Sequence, residues 1–196
     1  MTAQYYWYGW VIIMIAYFFL PPSKVRNRIL FFCFIVLNTY SFINDPIIHD
    51  YLQLGLLYCF GLSFWLIDRR SFVDHFWPFI LSMVYTSIQM FLVVHPVWTL
   101  FPGFHLGWIL AIILLDWFDL SFSSLIGLWF ILNSCGAFLT MYVFSVYGVE
   151  QFLTSEQVIV TTFKGLVIIF ILHGISRLKK AVRRGRKSRN KGAAYV

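Results

Sequence analysis

Charge is what this chain has least of. Asp, Glu, Lys and Arg make up 12% of its 196 residues, against roughly 25% in an ordinary soluble domain. Hydrophobic residues reach 60% and aromatics 21%. That balance leaves too little polar surface to cover a water-soluble globule, so the apolar excess must face lipid. Cysteine is equally scarce. Cys33, Cys59 and Cys135 fall inside apolar runs with no CxxC pair, which excludes a disulfide or metal framework and makes them packing residues. The sequence also lacks a glycine-rich phosphate loop, a GxSxG elbow and an HExxH or HxxxH pattern linking His49, His95 or His105. Neither a metal site, nor a cofactor, nor a catalytic centre is therefore expected. The N-terminus has no Lys or Arg ahead of its first apolar run and no A-x-A pattern after it. It reads as a retained anchor rather than a cleaved signal peptide.

What the chain does have is long apolar runs. A membrane-crossing helix needs about 20 residues. The runs lie at Tyr5–Leu20, Ile29–Ile43, Tyr51–Ile67, Phe76–Val94, Pro102–Phe118, Phe122–Tyr147 and Val158–Ser176. Pro21-Pro22, Asn44-Asp45-Pro46, His95-Pro96 and Pro102-Gly103 separate them, because proline removes a donor and clashes with the preceding turn. The expected fold is all-α: a polytopic transmembrane helix bundle of about seven spans over residues 1–176, with a basic tail over 177–196.

Charge placement gives the orientation. Nine of the fifteen Lys and Arg residues lie between Arg177 and Lys191. With the N-terminus outside, Lys24, Arg26, Arg28, Arg69, Arg70 and those nine all fall inside, which makes fourteen of fifteen. The outer loops hold Asp45, Asp50, Glu150 and Glu156 instead. This is the positive-inside pattern. The weakest break is Asp116 to Ser124, which carries no basic residue. Parity supports it, since Arg69-Arg70 and the tail both belong inside and an even number of crossings must separate them. Tyr5, Tyr6, Trp7, Tyr8 and Trp10 crowd the outer end of the first span, as interfacial aromatics do.

Several residues invite a functional reading beside a structural one. Lys164 is the fifteenth cation and the one charge placed within a span. It is either a pathway residue or a lysine that snorkels to the outer interface or pairs with Glu156 or Glu150. Asp116 and Asp119, three apart, would form a relay or pair with Arg69 or Arg70, unless Asp119 or Ser121 caps the following helix. Ser82, Tyr85, Thr86 and Gln89 in span four, and Asn133 and Thr140 in span six, would line a pathway or bond helices together. Gly55, Cys59 and Ser63 repeat every four residues and are expected to form a seam for close helix approach. His173, near the inner end of span seven, is expected at the membrane interface or between helices.

The tail, with Arg177, Lys179, Lys180, Arg183, Arg184, Arg186 and Lys187, anchors topology and offers contacts to anionic lipid headgroups, each worth about 1 kcal/mol near the leaflet. Nucleic acid is not the expected partner, because the net charge of +7 is concentrated beside a span. A membrane-protein partner or a second copy of the chain stays open.

The short aromatic first span (Tyr6-Trp7-Tyr8-Gly9-Trp10), the basic turn (Lys24-Val25-Arg26-Asn27-Arg28) and the overall length resemble the YphA-like membrane proteins of Bacillus-type bacteria. The resemblance implies a bacterial plasma-membrane setting and transfers no site residues. Three functional classes follow: a non-catalytic accessory or envelope-interaction protein, a small-solute or ion transporter or channel subunit using spans four and six with Lys164, and, least supported, an intramembrane enzyme.

Overall fold

A computed structural model describes residues 2–42, 46–68, 72–100, 104–116, 120–148 and 153–192. Among them the chain forms seven α-helices: α1 Thr2–Phe19, α2 Lys24–Phe42, α3 Pro46–Trp65, α4 Trp77–Val94, α5 Phe104–Asp116, α6 Phe122–Val146 and α7 Ser155–Gly192. Short 3-10 turns at Val73–Phe76 and Pro96–Leu100 flank α4. The proline pairs act as the sequence suggests. α1 stops two residues before Pro21, α4 carries a proline in its first turn, and its final turn closes with the His95 amide donating to Phe91 O at 2.9 Å just ahead of Pro96. Ser121 caps α6, its hydroxyl oxygen accepting from the Ser124 amide at 3.3 Å.

Among the described residues three stretches are long and apolar enough to cross a bilayer: Asp74–Val94, Phe122–Val146 and Ser155–Lys179. The first three helices are more polar: α1 opens on tyrosines, tryptophans and a glutamine, α2 begins with three basic residues, and α3 carries His49, Asp50 and Gln53. Of α5 the described part is Phe104–Asp116. α7 continues unbroken from the last apolar run into the basic tail, as far as Gly192.

The bundle is built around α6. Of its apolar window 78% is buried inside the protein, and it packs against α3, α4 and α7. A helix hydrophobic on all sides belongs in the centre. Glycines set its approach to α3. A Cβ on Gly127 would lie 2.6 Å from Trp65 N and 2.9 Å from Gly61 O, and one on Gly61 would lie 2.8 Å from the Ile131 side chain. On the α7 side the Trp129 indole lies over Gly165, where a Cβ would come within 2.2 Å of the ring, and its Nε1 donates to Thr162 O at 3.0 Å.

The seam expected at Gly55, Cys59 and Ser63 is therefore displaced. Gly55 and Cys59 are exposed, a Cβ on Gly55 would meet nothing within 4 Å, and the buried face of α3 is Leu54, Leu57, Gly61, Phe64 and Trp65. The four-residue repeat of small side chains marks one stripe of α3, but α6 lies against the neighbouring stripe. Phe32, Phe64, Phe130 and Phe163 fill the centre, with the Phe32 and Phe130 ring centroids 4.7 Å apart.

Polar contacts define the two ends. At one, the beginnings of α1, α3 and α7 meet through Tyr5, Gln53 and Ser155. At the other, Arg28 Nη1 donates to Ser63 O at 2.7 Å, and Asp68, just past α3, accepts from the hydroxyls of Ser121 and Ser124 at the start of α6. The turn before α6 thus shares an end with the turn after α3. The parity argument requires this of the weakest break.

Candidate functional site

A buried polar cluster lies where α1, α3 and α7 begin. Gln53 Nε2 donates to Tyr5 Oη at 3.4 Å, and Tyr5 Oη donates to Val36 O of α2 at 2.6 Å. Ser155 Oγ lies 3.1 Å from Gln53 Oε1 and also bonds to Asp50 Oδ1, sharing its one hydrogen between the two. Tyr5, Gln53 and Ser155 are fully buried. Four helices are tied by this chain of bonds, which runs from a half-buried carboxylate into the bundle interior. A buried network of this kind fixes how helices are arranged, because breaking it strands polar groups away from water. Sequence reasoning passed over Gln53 and Ser155. A lone glutamine in span three and a serine before span seven carry no spacing signal, and only the assembled bundle brings them together.

The residues singled out from the sequence do not converge. Lys164 is exposed on α7, nine residues past Ser155, and its Nζ stands 5.7 Å from the ring centroid of Tyr8. Its recorded neighbour is thus an aromatic face of α1. Of the carboxylates considered as its partner, Glu156 has a buried Oε1 with no hydrogen-bond partner, and Glu150 lies outside the described residues. Gln89, half-buried on α4, bonds to Tyr85, whose ring lies over Gly136 of α6. Asn133 is fully buried halfway along α6. Its Nδ2 donates to Trp129 O at 2.7 Å, while its Oδ1 has no partner.

Asp116 ends α5, but its side chain and all of Asp119 lie outside the described residues, so the expected relay is not placed. Arg177 and Lys179 are exposed. The side chains of Lys180, Arg183, Arg184, Arg186 and Lys187 lie outside the described residues, although α7 itself runs on to Gly192. His173 does sit between helices, its ring stacked on that of Phe122 at 4.1 Å.

The other polar side chains of the spans are engaged within the helices. Ser82 donates to Pro78 O, Ser134 to Phe130 O, Thr140 to Gly136 O and Thr162 to Val158 O, at 2.7–2.8 Å. Thr86 Oγ1 lies 3.0 Å from Ser82 O and 3.1 Å from Gly136 O, bridging α4 to α6. A lateral slot of about 290 Å³ opens between α3 and α6, walled by Tyr51, Gly55, Tyr58, Ser134, Cys135 and Phe138 among others. Gln89, Asn133 and Lys164 are not in its wall. Among the described residues no group of three or more His, Cys, Asp or Glu side chains stands together to hold a metal.

Comparison with known proteins adds a family and nothing closer. No curated protein and no solved structure matches the chain. The family model of the YphA-like integral membrane proteins matches residues 2–194. Matched over nearly all of its described bundle, the chain belongs to the YphA-like integral membrane protein family.

Proposed function

We propose that this chain is a seven-span bacterial plasma-membrane protein that acts as a non-catalytic accessory or envelope-interaction protein. Its N-terminus lies outside and its basic C-terminal helix in the cytoplasm. One observation carries the non-catalytic reading: the hydroxyls of Ser82, Thr86, Ser134 and Thr140 bond to carbonyls of their own or the adjoining helix, and the carboxylates of Asp50 and Asp68 are taken up by serines that tie one helix to another. Helix-to-helix bonding of this kind assembles a bundle. The seven-span count draws support from the shared end of Asp68, Ser121 and Ser124, and the orientation from the fourteen basic residues assigned inside. Arg177 and Lys179, exposed where the last apolar stretch ends, meet anionic headgroups of the inner leaflet. A membrane-protein partner or a second copy is the remaining contact such a role requires.

Cysteine mapping tests the orientation. In a background with Cys33, Cys59 and Cys135 replaced, a membrane-impermeant maleimide applied to intact cells is expected to label Thr154→Cys. It is expected to leave Phe72→Cys and Ser121→Cys unlabelled until the cells are permeabilised. The reverse pattern would overturn the orientation, and labelling of Ser121→Cys alone from outside would remove the seven-span count.

Flux measurements test the role. Proteoliposomes holding the purified protein are expected to pass Na⁺, K⁺ and H⁺ no faster than empty vesicles. A protein-dependent flux that Lys164→Met or Gln89→Leu abolishes would replace the accessory reading with a transport one.

A further inference from the structure

The exposed apolar residues of α7 form one stripe. Ile168 is half-buried, and Ile171, Ile175, Leu178 and Val182 are exposed, following it at spacings of three, four, three and four. The opposite face, with Phe163, Leu166, Ile169 and Phe170, is buried in the bundle. Alternation of three and four is the a/d pattern by which helices pack side by side.

Inside a bilayer an apolar stripe can simply face lipid. This one runs on past the last apolar stretch, which ends at Lys179. Val182, 69% exposed, lies three residues beyond that end, between Lys180 and Arg183. From Arg177 to Arg186 the uncharged residues are Leu178, Ala181, Val182 and Gly185, and all four fall at a, d or the adjoining g position. We propose that this face of α7 joins two copies of the chain, their seventh helices packed in parallel from Ile168 to Val182.

Residue choice argues for a second copy. Ile168, Ile175 and Val182 occupy a and are all β-branched, while Leu178 occupies d, a combination that favours two parallel strands. Copies inserted the same way across a bilayer align their seventh helices in parallel, whichever end lies outside. Gly174 and Ala181 occupy successive g positions, and a Cβ added at Gly174 would meet nothing within 4 Å of its own chain. Small residues beside a seam let helices approach closely within lipid. Past the apolar stretch, water supplies the hydrophobic drive that lipid does not.

Area and charge agree. At roughly 100 Å² for each buried aliphatic side chain, five from each copy cover about 1,000 Å² in the pair, where specific interfaces begin. In a parallel pair each g position faces the next e position of the other helix. The register sets Lys179 against Gly174 and position 186 against Ala181, so no cation opposes a cation across the seam. The contact ends before Arg189, the next a position, and begins after Lys164, whose Nζ stands over the Tyr8 ring.

The pairing names the second copy that the accessory reading requires, and rests on that reading only in that the chain lies in a bilayer. A protein-dependent ion flux would overturn the accessory role and leave the pair standing.

The test uses full-length protein with Cys33, Cys59 and Cys135 replaced by alanine, reconstituted in vesicles at a high lipid-to-protein ratio and oxidised with copper phenanthroline. Leu178→Cys and Val182→Cys are expected to join two copies, whereas Ser176→Cys and Lys180→Cys, off the seam, give only the yield of random collision. Equal yields at all four positions would overturn the pairing. Counting photobleaching steps against dilution measures its strength. Leu178→Lys with Val182→Lys, both at exposed positions, is expected to raise the dissociation constant about a hundredfold, tenfold for each aliphatic side chain withdrawn from the seam. A wild type that is monomeric at every dilution, or a double variant that pairs like the wild type, would overturn the proposal. Should the double variant fold poorly, the cysteine positions decide alone. Oxidation in native membranes that joined Leu178→Cys to a different protein would give the face to another helix.

Discussion

Gly127→Leu is expected to leave almost no folded protein. The first carbon of the new side chain would lie 2.6 Å from Trp65 N, 2.9 Å from Gly61 O and 3.0 Å from Phe64 C. All three are backbone atoms of α3, so no rotamer change relieves the contact, and the two helices must separate. Separation would break the packing of Phe64 on Phe130, whose centroids lie 6.0 Å apart, and pull Asp68 from Ser121 and Ser124. Overpacking a well-filled core usually costs about 1–3 kcal/mol, and a clash against rigid backbone belongs at or above the upper end of that range.

Size-exclusion profiles after a temperature ramp measure this directly. The variant should lose its monodisperse peak well below the wild-type midpoint, with Gly127→Ala falling between. Gly55→Leu is the control, one position apart in kind rather than in chemistry, and it should keep the wild-type midpoint. Equal loss from Gly55→Leu and Gly127→Leu would mean that α3 does not approach α6 through Gly61 and Gly127.

Asp68→Ala is expected to have the second largest effect. Ser124 Oγ donates to Asp68 Oδ2 at 2.5 Å and Ser121 Oγ donates to the same oxygen. Removing the carboxylate strands two hydroxyls and unties α3 from the capped start of α6. Hydrogen bonds to a charged group contribute about 1.5–3 kcal/mol, although the Ser121 contact is exposed and solvent reduces its share. A loss of about 2 kcal/mol, or roughly 5 °C in midpoint for a chain of this size, is expected.

Ser121→Ala should cost about 1 kcal/mol more as a lost cap. In a double-mutant cycle the two losses should add to less than their sum, since the residues share a bond. Strict additivity would show that Asp68 and Ser121 do not meet.

The helical layout was legible in the sequence because its signals are local. Pro21-Pro22 and Pro96 set helix limits through backbone sterics, and Ser121 was one of two residues proposed to cap the sixth helix. Counting charges put the turn before α6 at the same end as the turn after α3, and Asp68 meets Ser121 and Ser124 at one end of the bundle.

Which stripe of a helix faces its neighbour was not legible. In a chain apolar on all sides, periodicity does not separate an inward face from a lipid-facing one. The Gly55, Cys59, Ser63 stripe was therefore taken for a seam of close helix approach, while Gly61 and Gly127 make the one between α3 and α6. Gln53 and Ser155 escaped for a related reason. Each is an isolated polar residue near a helix end, and their partnership joins positions 102 residues apart. Lys164 attracted notice because charge is rare here, yet the structure sets it beside Tyr8 and away from the slot.

The unbroken course of α7 changes what its basic end does. Between Arg177 and Lys191 the helix rises about 21 Å at 1.5 Å per residue, whereas electrostatic attraction in physiological salt fades over about 8 Å. In the orientation proposed above, a helix leaving the bilayer steeply would carry its later charges out of the headgroups' reach. Arg177 and Lys179, first along it, would then be the ones to hold it at a fixed depth, and the later charges would serve an acidic surface that the membrane itself does not supply.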